Sequence, residues 1–158
     1  MYGGSMLDGL RILVVEDIPS IRSLIARLLE RLGCSDVYAV GNIADAFTYL
    51  DTLGFDAVLL DYELEHENGL TLVRRLRRVT AARNHDVSVI VLTGHTETAV
   101  MQAAVQSGAN SYLVKPVKPD RLGERILDVL SARIEPRPGD DPDAPDRPDA
   151  DTYWVLEG

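Results

Sequence analysis

The fold of this chain is decided by the stretch Phe55-Asp56-Ala57-Val58-Leu59-Leu60-Asp61. Its short apolar run is typical of a strand buried in a sheet, and the run stops on a carboxylate. Open parallel sheets place their ligand sites at the C-terminal ends of their strands. An earlier, largely apolar run over 10–15 ends in the same way, on Glu16 and Asp17. Three carboxylates at one edge of a sheet favour a divalent cation.

The rest of the chain alternates between strand and helix patterns. Pro19 and Asn42 are residues that begin helices, and Gly33 and Gly108 are residues that end them. Apolar runs predict further strands over 37–40, 87–92 and 111–114, and apolar residues at helical spacing predict helices over 19–32, 42–53, 70–79, 97–107 and 119–133.

Alternating strands and helices with apolar strands predict a parallel sheet that carries helices on both faces. Right-handed crossovers leave few ways to connect these elements. We therefore predict an α/β domain over residues 9–134: a doubly wound, flavodoxin-like five-stranded parallel sheet in the order 2-1-3-4-5, with five helices. Residues 1–8 are expected to form an N-terminal extension, and residues 135–158 a flexible C-terminal tail.

The tail differs from the domain in composition. Residues 135–158 hold eight acids, two arginines and five of the eight prolines, and such a stretch buries too little apolar surface to offset the entropy of ordering. It nevertheless contains four consecutive apolar residues, Tyr153-Trp154-Val155-Leu156. Two interpretations stay open: this segment docks in a groove of its own chain or of another, or it is a mobile end.

The charge of the chain argues against nucleic-acid binding. The formal net charge is −9, of which the tail contributes −6 and residues 1–134 only −3. Binding to nucleic-acid phosphates requires a strong basic surface, which this balance does not provide. The one basic cluster, Arg74-Arg75 and Arg77-Arg78, fits a solvated face near a helix C-terminus or, alternatively, a patch for docking a partner.

Cysteine and histidine usage excludes redox and zinc chemistry. Cys34 is the single cysteine, and His66, His85 and His95 lack zinc-like spacing. The sequence has no run of eighteen apolar residues, and its start lacks the basic and apolar regions of a signal peptide. We therefore expect a cytoplasmic protein with no membrane segment.

Polar side chains at the ends of four predicted strands converge on one crevice: Glu16, Asp17, Asp61, Thr93 and Lys115. Phosphoryl transfer to a carboxylate requires this set, because acids hold Mg²⁺ while the metal, an ammonium and a hydroxyl contact the phosphoryl oxygens. Asp61 would be the nucleophile. Alternatively, Glu16-Asp17 is a solvated turn and Thr93 an N-cap, for which Thr96 is equally well placed.

At this point the residues resemble the receiver domain of two-component response regulators. Glu16-Asp17 is similar to the family's metal-binding pair, and Asp61, with Gly69 eight residues later, resembles its phosphoacceptor loop. Thr93-Gly94 resembles its hydroxyl residue followed by a small one. Lys115-Pro116 resembles its lysine and the cis peptide bond that commonly follows. Each motif alone is weak, but the ordered set is specific and extends over the whole expected domain.

The resemblance implies roles for the site residues. Asp17 and Asp61 would bind Mg²⁺ directly, Glu16 partly through water, and Glu63 through its backbone carbonyl. Lys115 would pair with the phosphoryl group.

The resemblance also implies a switch. In the family, phosphorylation acts on a two-state surface formed by the fourth helix, fifth strand and fifth helix, through the hydroxyl residue and an aromatic residue. These are Thr93 and Tyr112 here. A phosphoryl oxygen that draws the hydroxyl inward would open space for the ring. Tyr112 is alternatively an ordinary aromatic packed on the sheet.

The chain departs from the family pattern after the phosphoacceptor. Leu64-Glu65 stands where a Met-Pro-like pair is usual, which predicts a looser turn and a more acidic site. Glu63 and His95 lie two residues beyond Asp61 and Thr93 and would flank the path of an attacking water. We hypothesise that this pair sets the lifetime of the aspartyl phosphate.

The leading functional expectation is a stand-alone receiver. It would take its phosphoryl group from a histidine kinase or a histidine phosphotransfer protein and act on an unknown output protein by contact, without a DNA-binding domain. A phosphorylation-dependent dimer and a role as phosphate shuttle or sink are compatible with this. Other classes are a Mg²⁺-dependent phosphohydrolase using Asp61 and Glu63, and a binding module without the chemistry.

Overall fold

The computed structural model describes residues 6–78 and 83–134, with side chains up to residue 132 in the second range. The tail expected over 135–158, including Tyr153-Trp154-Val155-Leu156, lies outside the described residues. The main sheet contains strands β1 Arg11–Val15, β2 Asp36–Val40, β3 Ala57–Asp61, β4 Ser88–Thr93 and β5 Ser111–Val114, numbered in chain order. The helices are α1 Pro19–Arg31, α2 Ile43–Leu50, α3 Leu70–Arg78, α4 Thr98–Ser107 and α5 Pro119–Ile134.

All neighbouring strands of this sheet are parallel, and their order is β2-β1-β3-β4-β5. The predicted doubly wound, flavodoxin-like fold is therefore confirmed. Alternate residues of β1 enter different layers: Leu13 and Val15 face the core shared with α2, α3 and α4, and Ile12 and Val14 face the core shared with α1 and α5. Among the described helices, none combines the length and apolar character needed to span a membrane.

Helix ends largely follow the predicted signals. Pro19 begins α1, the Asn42 side chain accepts a hydrogen bond from the Asp45 N–H at 2.8 Å, and Gly108, at φ 104°, ends α4. α2 is shorter than predicted. Its extension to residue 53 is wrong because the Asn84 side chain donates to the carbonyls of Leu50 and Leu53, at 2.8 and 2.7 Å, and fixes a turn there.

The N-terminus of α4 corrects another expectation. Neither Thr93 nor Thr96 caps this helix, since Glu97 immediately precedes it and forms no side-chain capping hydrogen bond. The Thr93 hydroxyl instead accepts a hydrogen bond from the His95 N–H at 2.9 Å. Thr93 therefore belongs to the strand end and its loop.

The interpretation of the arginine cluster as a solvated face is wrong for Arg77. This half-buried side chain donates to the carbonyls of Gly108, His85 and Val87 and to the side chain of Asn110, at 2.7 to 3.0 Å. Arg77 thus connects α3 to the segments that lead into β4 and β5. Its neighbours are also engaged: the Arg74 guanidinium bonds the Ser107 hydroxyl, and the Arg75 guanidinium lies 3.9 Å from the centre of the Phe47 ring.

Candidate functional site

The polar residues singled out in the sequence meet at the C-terminal edge of the sheet. Glu16 directly follows β1 and is fully buried, Asp61 ends β3, and Thr93 ends β4. Lys115 follows β5, and its backbone N–H donates to the Thr93 carbonyl at 2.8 Å, which extends the sheet by one bond. The parallel register therefore assembles side chains that are distant in sequence.

An ammonium bridges two carboxylates at this edge. Nζ of Lys115 lies 3.0 Å from Oε1 of Glu16 and 3.1 Å from Oδ1 of Asp61. The pKa of Glu16 is raised to about 7, chiefly by burial. The hydrogen bond from Lys115 lowers this pKa, and the neighbouring Asp61 raises it further. Burial alone would lower the pKa of Lys115, but its hydrogen bond to Glu16 and the charge of Asp61 outweigh burial and raise it. Lys115 therefore remains an ammonium.

The three acids have the arrangement of a metal site. Ligand oxygens of Glu16, Asp17 and Asp61 lie within 4.8 Å of one another. Oδ1 of Asp17 is buried and has no hydrogen-bond partner among the described residues, which is costly unless a further group binds there. Hard oxygen donors of this kind suit Mg²⁺, so the residues present fit that ion.

The loop after β3 is more ordered than its sequence predicts. Glu63–Leu64 and Glu67–Asn68 form a short antiparallel hairpin that the sequence analysis missed. The Glu63 N–H donates to Oδ1 of Asp61 at 3.2 Å, and the Glu65 N–H donates to Oδ2 of Asp17 at 2.8 Å. The pair Leu64-Glu65 therefore does not loosen the turn, because both residues on either side of Leu64 are bonded to site carboxylates.

Three further residues fix the hairpin. The Glu67 carboxylate accepts a hydrogen bond from the Ile43 N–H at 3.0 Å, which connects the hairpin to the start of α2. His66 has a positive φ of 69° at the tip. A Cβ at Gly69 would overlap the Asp61 carbonyl oxygen, so only glycine lets the chain return this close to the site.

His95 connects this hairpin to the loop after β4. Its Nε2 lies 2.7 Å from Glu63 Oε1, and its Nδ1 lies 3.2 Å from Glu97 Oε2. The Tyr62 ring contacts the imidazole edge-on, with centroids 5.8 Å apart. The hydrogen bonds to Glu63, and then to Glu97, raise the pKa of His95. The sequence indicated Glu63 and His95 but missed Glu97, because an acid before a helix has many ordinary explanations.

The two residues expected to form the switch are both buried. Thr93 is 1% exposed, and so is Tyr112, whose ring packs in the core shared with α2, α3 and α4. The Lys115–Pro116 peptide bond is cis, as the resemblance implied.

Comparison with known proteins identifies the family. The family model described as the response regulator receiver domain matches residues 12–127. The chain is 33% identical over 122 residues to the chemotaxis protein CheY1 of Helicobacter pylori, a match that covers 77% of this chain and 97% of that protein. It is also 33% identical over 126 residues to the cyclic di-GMP phosphodiesterase response regulator RpfG of Xanthomonas campestris. That match covers 79% of this chain but spans only about a third (33%) of RpfG.

A solved structure supports the fold. The receiver domain of the Francisella response regulator 1452 superimposes with a TM-score of 0.70 at 24% identity, covering 80% of this chain and all (100%) of that one. At this identity the match supports the fold alone.

Proposed function

This chain belongs to the response-regulator receiver family, and on that premise we propose that Asp61 accepts a phosphoryl group from a histidine kinase or histidine phosphotransfer protein. The proposal rests on one observation: Nζ of Lys115 bridges Glu16 and Asp61, at 3.0 and 3.1 Å, beside the acid cluster. A carboxylate that would act as nucleophile, a cation and acids that would hold a metal therefore lie together at one edge of the sheet.

The chemistry follows from these positions. A carboxylate oxygen of Asp61 attacks the phosphorus of a phosphohistidine, the new P–O bond forms, and the P–N bond breaks with its electron pair returning to the imidazole. Lys115 opposes the negative charge of the phosphoryl oxygens. Mg²⁺, when bound, neutralises further charge on those oxygens; Asp17 and Asp61 would hold it directly, with Glu16 and the Glu63 carbonyl assisting.

We infer that the signal then passes to the face formed by α4, β5 and α5. The Thr93 hydroxyl accepts from the His95 N–H but still has its own hydrogen to donate to a phosphoryl oxygen. Movement of Thr93 changes the space beside the Tyr112 ring, and this biases a two-state surface. An output protein, or a second phosphorylated copy, would bind that surface in the cytoplasm.

Intact-mass spectrometry with acetyl phosphate tests the proposal. We expect the wild type to gain one phosphoryl group in Mg²⁺ and little in EDTA, and Asp61→Asn to gain none. Asp17→Asn should reduce the gain at the same Mg²⁺ concentration, whereas Asp120→Asn, at an exposed position of α5, should not. An adduct in Asp61→Asn equal to wild type would reject Asp61 as acceptor. Turnover of p-nitrophenyl phosphate by the wild type would favour the phosphohydrolase.

A further inference from the structure

An apolar groove lies between α1 and the loop that follows β5. Its volume is about 350 Å³, and its lining combines one face of α1 with the loop: Ile21, Leu24, Ile25, Leu28, Lys115, Pro116 and Val117. The four α1 residues have the spacing of a helix face that normally packs against the core. The groove is therefore apolar surface continuous with the core but open to solvent.

Leu24 shows that this face is incompletely covered. Ile25 and Leu28 are 3% and 9% exposed, whereas Leu24, on the same face, is 50% exposed. Ile18, just before α1, is 45% exposed. Among the described residues these are two of the four large apolar side chains with high exposure, the others being Met6 and Leu127. Of these four, Leu24 lines the groove itself and continues its buried apolar face to the surface, which favours an occupant.

The rim of the groove is basic. An adjoining cavity of about 260 Å³ shares Lys115, Pro116 and Val117 and is also lined by Lys118 and Arg121. An occupant that combines apolar side chains with an acidic flank would match both features. The chain contains one such segment: Tyr153-Trp154-Val155-Leu156 follows a stretch in which acids greatly outnumber arginines.

The segment can reach the groove. α5 begins at Pro119, beside the groove, and has 16 residues, so Ile134 lies about 24 Å from that end at 1.5 Å per residue. Residues 135–152 separate Ile134 from Tyr153, and proline-rich chains extend about 3.1 Å per residue, which gives a reach of roughly 56 Å. A tether of this length also raises the local concentration of the segment, so a small contact area suffices.

We propose that Tyr153-Trp154-Val155-Leu156 docks in the groove between α1 and the β5–α5 loop of its own domain. The docked segment covers the aliphatic part of Lys115, whose ammonium contacts Asp61. If Asp61 accepts a phosphoryl group, as proposed above, the docked segment limits which protein phosphodonors can approach Asp61 across α1. The docking itself does not depend on phosphorylation.

Trp154 provides the test, because it is the only tryptophan of the chain. In the full chain we expect tryptophan emission at shorter wavelength than in Leu24→Asp, which places a charge in the groove. Leu127→Asp, at the other leucine with high exposure among the described residues, should leave the emission unchanged. Circular dichroism of each variant verifies that it is folded. Equal emission from wild type and Leu24→Asp overturns the proposal, as does emission that changes with protein concentration, which indicates a second copy as the occupant.

A second measurement does not depend on a groove variant. In ¹H–¹⁵N spectra of the full chain, replacing Trp154, Val155 and Leu156 by serine should shift the amide signals of Leu24, Leu28 and Val117. If the amide signals of these residues do not shift, the proposal is overturned. Either result leaves phosphorylation of Asp61, measured separately by intact mass, unaffected.

Discussion

Nε2 of His95 lies 2.7 Å from Oε1 of Glu63, and this contact closes the loop after β4 onto the hairpin after β3. The backbones of both residues are bonded to the site, since the Glu63 N–H donates to Asp61 and the His95 N–H donates to Thr93. The pair therefore joins the two loops whose backbones are bonded to Asp61 and Thr93.

Removing this pair should shorten the lifetime of the aspartyl phosphate. In our hypothesis the pair flanks the path of an attacking water, so Glu63→Ala combined with His95→Ala should admit water more readily. We expect decay to accelerate by about tenfold, which corresponds to about 1.4 kcal/mol of barrier. The loss of phosphorylated mass after removal of acetyl phosphate measures the rate. Glu97→Ala, which removes only the partner on the far side of His95, serves as control. Unchanged decay in the double variant would contradict the hypothesis.

The same contact predicts the titration of His95. An imidazole donates from both nitrogens only when protonated, so Glu63 and Glu97 together favour the cation. In an NMR titration, the pKa of His95 should lie above the ordinary 6.5. Glu63→Gln should lower this pKa more than Glu97→Gln does. Because the pKa of His95 is higher in the folded protein than in the unfolded chain, protonated His95 adds to the free energy of unfolding. This contribution is complete below pH 6.5 and is lost as pH rises through the folded-state pKa. A titration at the ordinary value would show that the contact does not persist in solution.

Glu16 should make the metal-free protein less stable as pH rises. The pKa of its carboxyl is about 7 in the folded protein and 4.5 in the unfolded chain. Between these pH values the folded protein holds a proton that the unfolded chain does not, so unfolding releases a proton. We expect this residue to remove about 3 kcal/mol of unfolding free energy across that window, at about 1.4 kcal/mol per pKa unit. Urea unfolding in EDTA measures it, with Glu16→Gln as the comparison. Parallel pH dependence in both proteins would assign the effect to other groups.

Arg77 should matter for stability far more than its neighbour Arg78. Arg77→Met leaves partly buried carbonyls without this donor and removes one of the two hydrogen bonds to Oδ1 of Asn110, which should cost about 2–4 kcal/mol. Arg78 is exposed near the end of α3, and Arg78→Met should change the unfolding free energy by less than about 0.5 kcal/mol. Chemical denaturation of the two variants compares them directly. Similar losses would mean that charge rather than bonding geometry decides.

The sheet and the convergence of its polar ends could be predicted because both depend on local patterns. Apolar runs identify strands, and parallel pairing brings the strand ends to one edge, so Asp61, Thr93 and Lys115 could be placed together without coordinates. The cap at Asn42 is local as well, since donor and acceptor are three residues apart.

Most of the interactions that sequence reasoning missed join residues distant in the chain. Asn84 bonds backbone groups 29 to 34 residues away, and Arg77 bonds Asn110 across 33 residues. Residue type and spacing carry no sign of such partners, because any exposed helix also displays arginines. The hairpin after β3 was missed for a related reason: its position depends on Asp17 and Ile43, which belong to other elements.

Lys115 is separated from Glu16 by 99 residues, so the cation that opposes the carboxylates of the site is the last part of it to be synthesised. β1 and β3 emerge from the ribosome first and can bring the acids together while the lysine is still inside the tunnel. Until β5 pairs with β4, the edge of the nascent sheet carries carboxylates with no lysine opposite them. Bringing Lys115 to Glu16 closes a loop of 99 residues, which is entropically costly. The ammonium beside Asp61 is therefore in place only in chains that have completed folding.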